Sequence, residues 1–138
     1  RLQLKWQTAR GLVPKAEVNS RGSSVGVLFY GTTALPIPEA LDKLAVNGVQ
    51  LDTCRVRAFP FGEEVESFVA DHDLVFVVEQ NRDGQMRTLL INELQTNPAK
   101  LVAILNFAGI SVSADYIAEQ ISACYEEHTL ARLTEVTS

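Results

Sequence analysis

Residues 74–94 read LVFVVEQNRDGQMRTLLINEL, and three patterns follow one another in them without a break. Leu74 to Val78 is a continuous apolar run rich in β-branched residues, the pattern of a strand covered on both faces. Glu79 to Gly84 is polar and ends on glycine, as a loop does. From Gln85 to Leu94 the apolar residues Met86, Leu89, Leu90 and Leu94 return at helical spacing. A buried strand that feeds a helix through a short polar loop is the opening half of a parallel βαβ unit.

The unit repeats on either side. Val25 to Tyr30 (VGVLFY) is a second apolar run, broken by Gly31-Thr32-Thr33. Ile37, Ala40, Leu41, Leu44 and Ala45 then form one helical stripe, with Pro38 in the first turn and Gly48 where a left-handed residue ends the helix. Val49 to Val56 predicts the next strand, although polar Gln50, Asp52 and Arg55 interrupt it. Phe59 to Gly62 is a loop, and Glu63 to Asp71 a short helix with Val65, Phe68 and Val69 inward. Asn97-Pro98 stops the Gln85–Leu94 helix, Leu101 to Leu105 (LVAIL) is a further buried strand, and Asn106 to Val112 a loop. Ser113 suits the N-cap of a last helix whose inner face is Ile117, Ile121, Cys124 and Tyr125. Strands alternating with helices predict an α/β domain, a three-layer α/β/α sandwich on a mostly parallel sheet. A short extended stretch, Ala16 to Asn19, ends in the turn cluster Ser20-Arg21-Gly22, and on these residues alone it pairs as a hairpin with Val25–Tyr30.

Length and composition agree with one domain. The chain has 138 residues, 46% hydrophobic and 21% charged, and a chain of this size buries roughly two thirds of its unfolded surface without staples. No apolar run reaches the ~18 residues of a membrane span, so no membrane partner is expected. Cys54 and Cys124, seventy positions apart, cannot build a cysteine-held zinc site or iron–sulfur cluster within this chain. The expected compartment is reducing and cytoplasmic. The chain starts at Arg1 with no signal-peptide core and reads as a piece of a longer protein. Residues 1–14 form a connecting arm and 15–138 the domain. Charge divides near the same place: the first 23 residues carry five bases and one acid, the rest seven bases and 16 acids. An acidic body excludes nucleic acid as a partner, since phosphate binding needs clustered lysine and arginine. The basic start is either an arm that packs on something outside the chain or a solvated linker.

In open parallel sheets ligands sit at the carboxyl ends of strands. Four loops lie there: Gly31–Thr33, Phe59–Gly62, Glu79–Gln85 and Asn106–Gly109. Gly31, Thr32 and Thr33 offer N–H groups and hydroxyls to an anion at a helix start, or simply cap that helix; neither GxGxxG nor GxxxxGK[ST] is present. Glu79, Asn81, Arg82, Gly84 and Gln85 make the densest polar cluster, able to hold a ligand or dock a partner, or to cap the next helix. His72 can cap the helix before it, and His128 lies beside Glu126 and Glu127; neither has a companion at metal-ligand spacing. Glu63, Glu64 and Glu66 read as a solvated first turn. No catalytic triad, carboxylate pair, metal set or cofactor motif stands out, so catalytic, cofactor-binding and metal residues are expected to be none.

The segments VGVLFYGTT, ALDKLAVNGVQLDTCRVRAFPFGEEVESFV, DHDLVFVVEQNRDGQMRTLL and KLVAILNFAGISVSADYI, in this order, resemble one family. They are similar to the C-terminal domain of the alpha subunit of 2-oxoacid:ferredoxin oxidoreductases, the 2-oxoglutarate type above all, within the transketolase C-terminal-like class. The likeness runs from about Trp6 to Ile121. Its most specific part is Val78 to Gln85 followed by Leu89-Leu90, then Pro60-Phe61 and Gly109-Ile110; Met86 stands where the family has leucine, and Phe107-Ala108-Gly109 is less polar than usual.

The resemblance implies a holoenzyme that decarboxylates a 2-oxoacid on thiamine diphosphate with magnesium. The acyl group passes to coenzyme A, and electrons pass through iron–sulfur clusters to ferredoxin. This chain carries neither the GDG…NN diphosphate stretch nor a cluster's cysteines, so the resemblance implies a part that serves assembly and interdomain packing beside other alpha-subunit domains and the beta subunit. It also implies a five-stranded sheet whose first strand, near Ala16–Asn19, runs antiparallel beside Val49–Val56. Two rival readings are a small-anion or coenzyme A binding module built on Gly31-Thr32-Thr33 and Arg82, and the C-terminal domain of a transketolase or of a 2-oxoacid dehydrogenase beta subunit.

Overall fold

The computed structural model describes residues 8–107, 109 and 111–137; the start of the connecting arm (residues 1–7), Ala108 and Ile110 lie outside the described residues. The elements run β1 Glu17–Asn19, β2 Val25–Tyr30, α1 Ile37–Val46, β3 Asp52–Val56, α2 Glu63–Asp71, β4 Leu74–Glu79, α3 Gln85–Leu94, β5 Leu101–Leu105 and α4 Ala114–Thr137. They form one five-stranded sheet in the order β1-β3-β2-β4-β5, parallel except for β1. Among the described residues no helix is long and apolar enough to cross a membrane.

The chain steps from β2 to β3 in one direction and then returns past β2 to β4 and β5. Crossovers of one hand therefore put α1 on one face and α2 and α3 on the other. Side-chain alternation sorts the core in the same way. Val25, Val27 and Phe29 of β2 and Leu74, Phe76 and Val78 of β4 pack with Ile37, Ala40 and Leu44 of α1 and Ile117 and Ile121 of α4. Leu28, Cys54, Val75 and Val77 pack on the opposite face with Val65, Phe68 and Val69 of α2 and Leu90 of α3. Gly26 lets that face close: a Cβ there would stand 2.5 Å from the Phe68 ring.

Two expectations change. The hairpin of β1 with β2 does not form; β1 pairs antiparallel with β3, Val18 opposite Cys54, as the family resemblance implied. The connection after β1 explains why. The Asp52 carboxylate accepts from Arg21 N–H (2.6 Å), Ser23 N–H (3.2 Å) and the Ser20 hydroxyl (3.2 Å), which fastens the turn to the start of β3. Strand β3 also begins at Asp52; Val49 and Leu51 lead into it as buried core. Ser113 caps α4 as expected, its hydroxyl accepting from Tyr116 N–H at 3.1 Å.

The described end of the arm is helical over residues 8–12 and lies on its own domain. Arg10 donates to the Phe61 carbonyl (2.6 Å) and to Glu66 (2.9 Å). The first turn of α2 is thus more than a solvated face, since Glu64 also accepts from Ala16 N–H at 2.9 Å. These acids stand at the positive end of the α2 dipole and hold the chain that precedes β1.

Candidate functional site

Strand order reverses between β2 and β4, and the crevice beyond their carboxyl ends is where an open α/β sheet binds ligands. Here the crevice is filled by the protein's own polar side chains. Glu79 is the last residue of β4, 0% exposed, where the sequence reads as the start of a loop. Its Oε1 accepts from the Tyr30 hydroxyl (3.1 Å), Asn81 Nδ2 (2.9 Å) and Met86 N–H (2.6 Å), and its Oε2 from Arg87 N–H (3.1 Å).

This arrangement follows from the sequence of the loop. Gly84 precedes α3 at φ +62°, a conformation glycine adopts without strain, but glycine brings no capping side chain. Other residues must supply acceptors for the first N–H groups of the helix. Asn81 Oδ1 accepts from Gly84 N–H (2.8 Å) and Gln85 N–H (3.3 Å), and Glu79 takes the next two. A buried carboxylate on a helix N-terminus is favoured by the dipole as well as by the bonds. Burial first, then the negative charge and hydrogen bond of Glu79, push the Tyr30 hydroxyl above its ordinary pKa, against the opposing Asn81 amide.

Beside this hub, Gln80 spans the crevice. Its amide donates to Thr32 Oγ1 (3.2 Å) and Thr33 Oγ1 (3.0 Å). The two threonines therefore do not cap α1. They lie in a 3₁₀ turn, Gly31–Ala34, and α1 starts three residues later at Ile37 with Pro38 in its first turn. Arg82 and Gln85 lie on the outside of the loop; the Arg82 side chain, 76% exposed, leans on Asp83 at 3.1 Å. The structure thus splits the sequence cluster in two. Glu79, Asn81 and Gly84 build the loop from inside, and Arg82 and Gln85 face outward.

A second buried polar cluster lies at the opposite, amino end of the strands. His72 Nδ1 is 2.7 Å from the Phe68 carbonyl in the last turn of α2, so the ring does meet that helix end, and Nε2 is 2.8 Å from Asp52 Oδ2. Both ring nitrogens thus face oxygen atoms, one on the backbone of α2 and one on the Asp52 carboxyl. Burial by itself raises the Asp52 pKa; the Arg21 N–H, His72, Ser23 N–H and Ser20 donors outweigh it and hold the carboxyl below its ordinary value. The sequence reading gives Asp52 no role, although an acid at the start of a strand whose alternate residues Cys54 and Val56 are apolar is a signal that a donor set awaits it.

Both buried carboxyl groups are surrounded by N–H and O–H donors of the chain itself. Among the described residues, no three of His, Cys, Asp and Glu cluster to hold a metal. Burial, then the charge of Glu64, pushes the Cys54 thiol up to about 12, so it is a core residue and no nucleophile.

No family model matches the chain. Over 86 residues, 61% of the chain, it is 35% identical to 2-oxoacid:ferredoxin oxidoreductase 2, subunit alpha, of Aeropyrum pernix, and that match covers 13% of the relative. The chain therefore spans about an eighth of the relative's length. Among solved structures it matches 2-oxoglutarate:ferredoxin oxidoreductase from Magnetococcus marinus with 2-oxoglutarate, coenzyme A and succinyl-CoA bound, with a TM-score of 0.73 and 19% identity over 85% of this chain and 21% of that one. It also matches the alpha chain of a "probable 2-oxoacid ferredoxin oxidoreductase" from Thermoplasma acidophilum, with a TM-score of 0.54 and 20% identity over 80% of this chain and 96% of that one. The two structures show the fold, and the Aeropyrum sequence shows the similarity to the alpha subunit that VGVLFYGTT and EQNRDGQM led us to expect.

Proposed function

We propose that these residues form the transketolase C-terminal-like domain of the alpha subunit of a 2-oxoacid:ferredoxin oxidoreductase, and that the domain serves assembly. The observation that carries this reading is the closed crevice. Among the described residues, the place where this fold would take a ligand is occupied by Tyr30, Glu79 and Asn81, bonded to one another, and by Gln80, bonded to Thr32 and Thr33. What remains on that rim is an outward surface, Arg82, Asp83 and Gln85, above the bonded Glu79 and Asn81.

In this reading the domain packs on the other alpha-subunit domains and the beta subunit, and ferredoxin meets the holoenzyme elsewhere. Thiamine diphosphate, magnesium, iron–sulfur cluster and coenzyme A are held by other parts of the enzyme. The 2-oxoglutarate in the Magnetococcus enzyme makes that acid the first substrate to test. The loop is tested in the full enzyme with Arg82→Glu together with Gln85→Ala. Both side chains lie outside the hub, so thermal stability stays within about 2 °C of wild type. The complex is expected to dissociate at lower salt. Unchanged assembly and unchanged 2-oxoacid oxidation would remove the loop from the interface.

A further inference from the structure

The antiparallel first strand decides where the polypeptide enters the domain. Glu17 of β1 lies opposite Arg55 and Asn19 opposite Thr53, so β1 starts beside the carboxyl end of β3 and runs toward its amino end. The arm before it accordingly lies at the carboxyl-end rim of the sheet. Arg10 donates to the Phe61 carbonyl in the loop after β3, and Gly11 and Val13 share a cleft with Gly62 and Glu63 at the start of α2. Helix α4 goes the other way: it begins after β5 at this rim and runs back to the amino ends, where Arg132 meets Asp73 just before β4. In a longer protein, whatever precedes these residues therefore arrives over the rim, at the end away from where α4 finishes.

The same rim gathers exposed apolar side chains from separate strand-end loops. Leu35 follows β2, Phe59 follows β3, Phe107 follows β5, and Leu12 lies on the arm. Leu35 is 81% exposed, Leu12 80% and Phe107 64%. Among the described residues both exposed phenylalanines stand here, and Phe59 sets its ring edge-on to Phe61. Strands lie about 4.8 Å apart, so the three spacings from β3 to β5 spread these side chains over a strip of about 15 Å. Between them the crevice is filled by Glu79 and Asn81 and bridged by Gln80, so the strip stands on a filled surface. Two arginines of the rim are answered within the chain, Arg10 by Glu66 (2.9 Å) and Arg82 by Asp83 (3.1 Å). Apolar projections from such a surface are anchors for another protein surface, whereas a small ligand needs a hollow.

We infer that the carboxyl-end rim packs on the domain that precedes this one in the alpha subunit, and that Leu12, Leu35 and Phe107 are apolar side chains buried in that contact. This rests on the reading of the chain as one domain of a longer subunit, as in the Aeropyrum relative, where most of the polypeptide lies outside the match. The course of the chain singles out the occupant. A domain tethered through the arm is held beside the strip at an effective concentration that a separate chain does not reach.

The test places the photo-cross-linker p-benzoylphenylalanine at Leu35, at Phe107 and at Val46, in separate samples of the assembled enzyme; linked peptides are identified by mass spectrometry. Val46 is the control: it is 86% exposed but ends α1, at the amino end of the sheet. Positions 35 and 107 are expected to link to the preceding domain of the same subunit, and position 46 is not. Leu35→Glu is expected to lower the yield from position 107 about tenfold, as the loss of one buried leucine would. Links from 35 and 107 to the beta subunit, to a second copy or to nothing overturn the inference, as do links to the preceding domain from 46 in their place. A yield that Leu35→Glu leaves unchanged overturns it too. The assembly reading is scored apart, by the size of the complex with and without the domain. If the complex dissociates without it while the rim links to nothing, assembly stands and the rim contact falls. If the complex stays whole without it, the assembly reading falls whatever the rim touches.

Discussion

Replacing Glu79 by alanine removes the acceptor of four donors at once. Met86 N–H and Arg87 N–H in the first turn of α3 lose their partner, as do the Tyr30 hydroxyl and one Asn81 amide N–H. Glu79 is fully buried, so water does not replace it without opening the sheet end. Hydrogen bonds to a charged group contribute ~1.5–3 kcal/mol each, and breaking a buried charged network costs about 3–5 kcal/mol in total because the losses are not additive. Unfolding entropy near ~2.1 cal/mol/K per residue converts that cost, for this chain, to a fall in Tm of about 10–17 °C. Glu79→Gln keeps the volume but turns an NH₂ toward an existing donor, and is expected to cost about half as much. Circular dichroism melts and urea titrations read both variants, with the order wild type, Gln, Ala. A second readout is chemical: with the negative charge gone, the raised pKa of Tyr30 moves back toward its ordinary value in a 295 nm titration, leaving the part due to burial. An alanine variant within about 0.5 kcal/mol of wild type would refute the capping role of the carboxylate.

Three further outcomes follow from the same geometry. The Asp52 carboxyl is held below its ordinary pKa, so its contribution is present above the unfolded value near ~3.9 and is lost as pH falls through the native one; urea midpoints between pH 5 and 2 should fall more steeply in wild type than in Asp52→Asn. Cys54, with its thiol pushed up to about 12, should resist a disulfide exchange reagent until the chain unfolds, whereas half-buried Cys124 reacts first; equal rates would contradict the burial of β3. Gly26→Ala places a methyl 2.5 Å from the Phe68 ring and should cost about 1–3 kcal/mol by overpacking, read as a lower urea midpoint with an unchanged slope.

The sequence carried the layers further than the edges. VGVLFY, LVFVV and LVAIL sit in the middle of the sheet or packed on a helix, where composition and burial agree, and each is a strand within a residue of its reading. The place of β1 was not legible from its own residues, because three exposed positions carry little register information. Its partner is fixed by Asp52, thirty residues on, through the donors of Ser20, Arg21 and Ser23. The polar loop shows the same limit. EQNRDGQ announced that something polar stands at a strand end, and both a ligand site and a helix cap fitted it. Only the spatial approach of Tyr30 turns Glu79 inward, while Gln80 reaches Thr32 and Thr33 at the surface and Arg82 and Gln85 stay outside. Local pattern gives the elements; which polar groups meet depends on strand order, and a single sequence does not state strand order.

The central claim is that this domain serves assembly of the parent oxidoreductase. The most direct measurement is a deletion. The parent subunit is expressed with its partner subunit, with and without these 138 residues, and the size of the complex is measured beside coenzyme A-dependent reduction of a viologen dye with 2-oxoglutarate. The account predicts that assembly and turnover fall together. A complex that stays intact while turnover or coenzyme A dependence changes would contradict it and place these loops in the catalytic cycle.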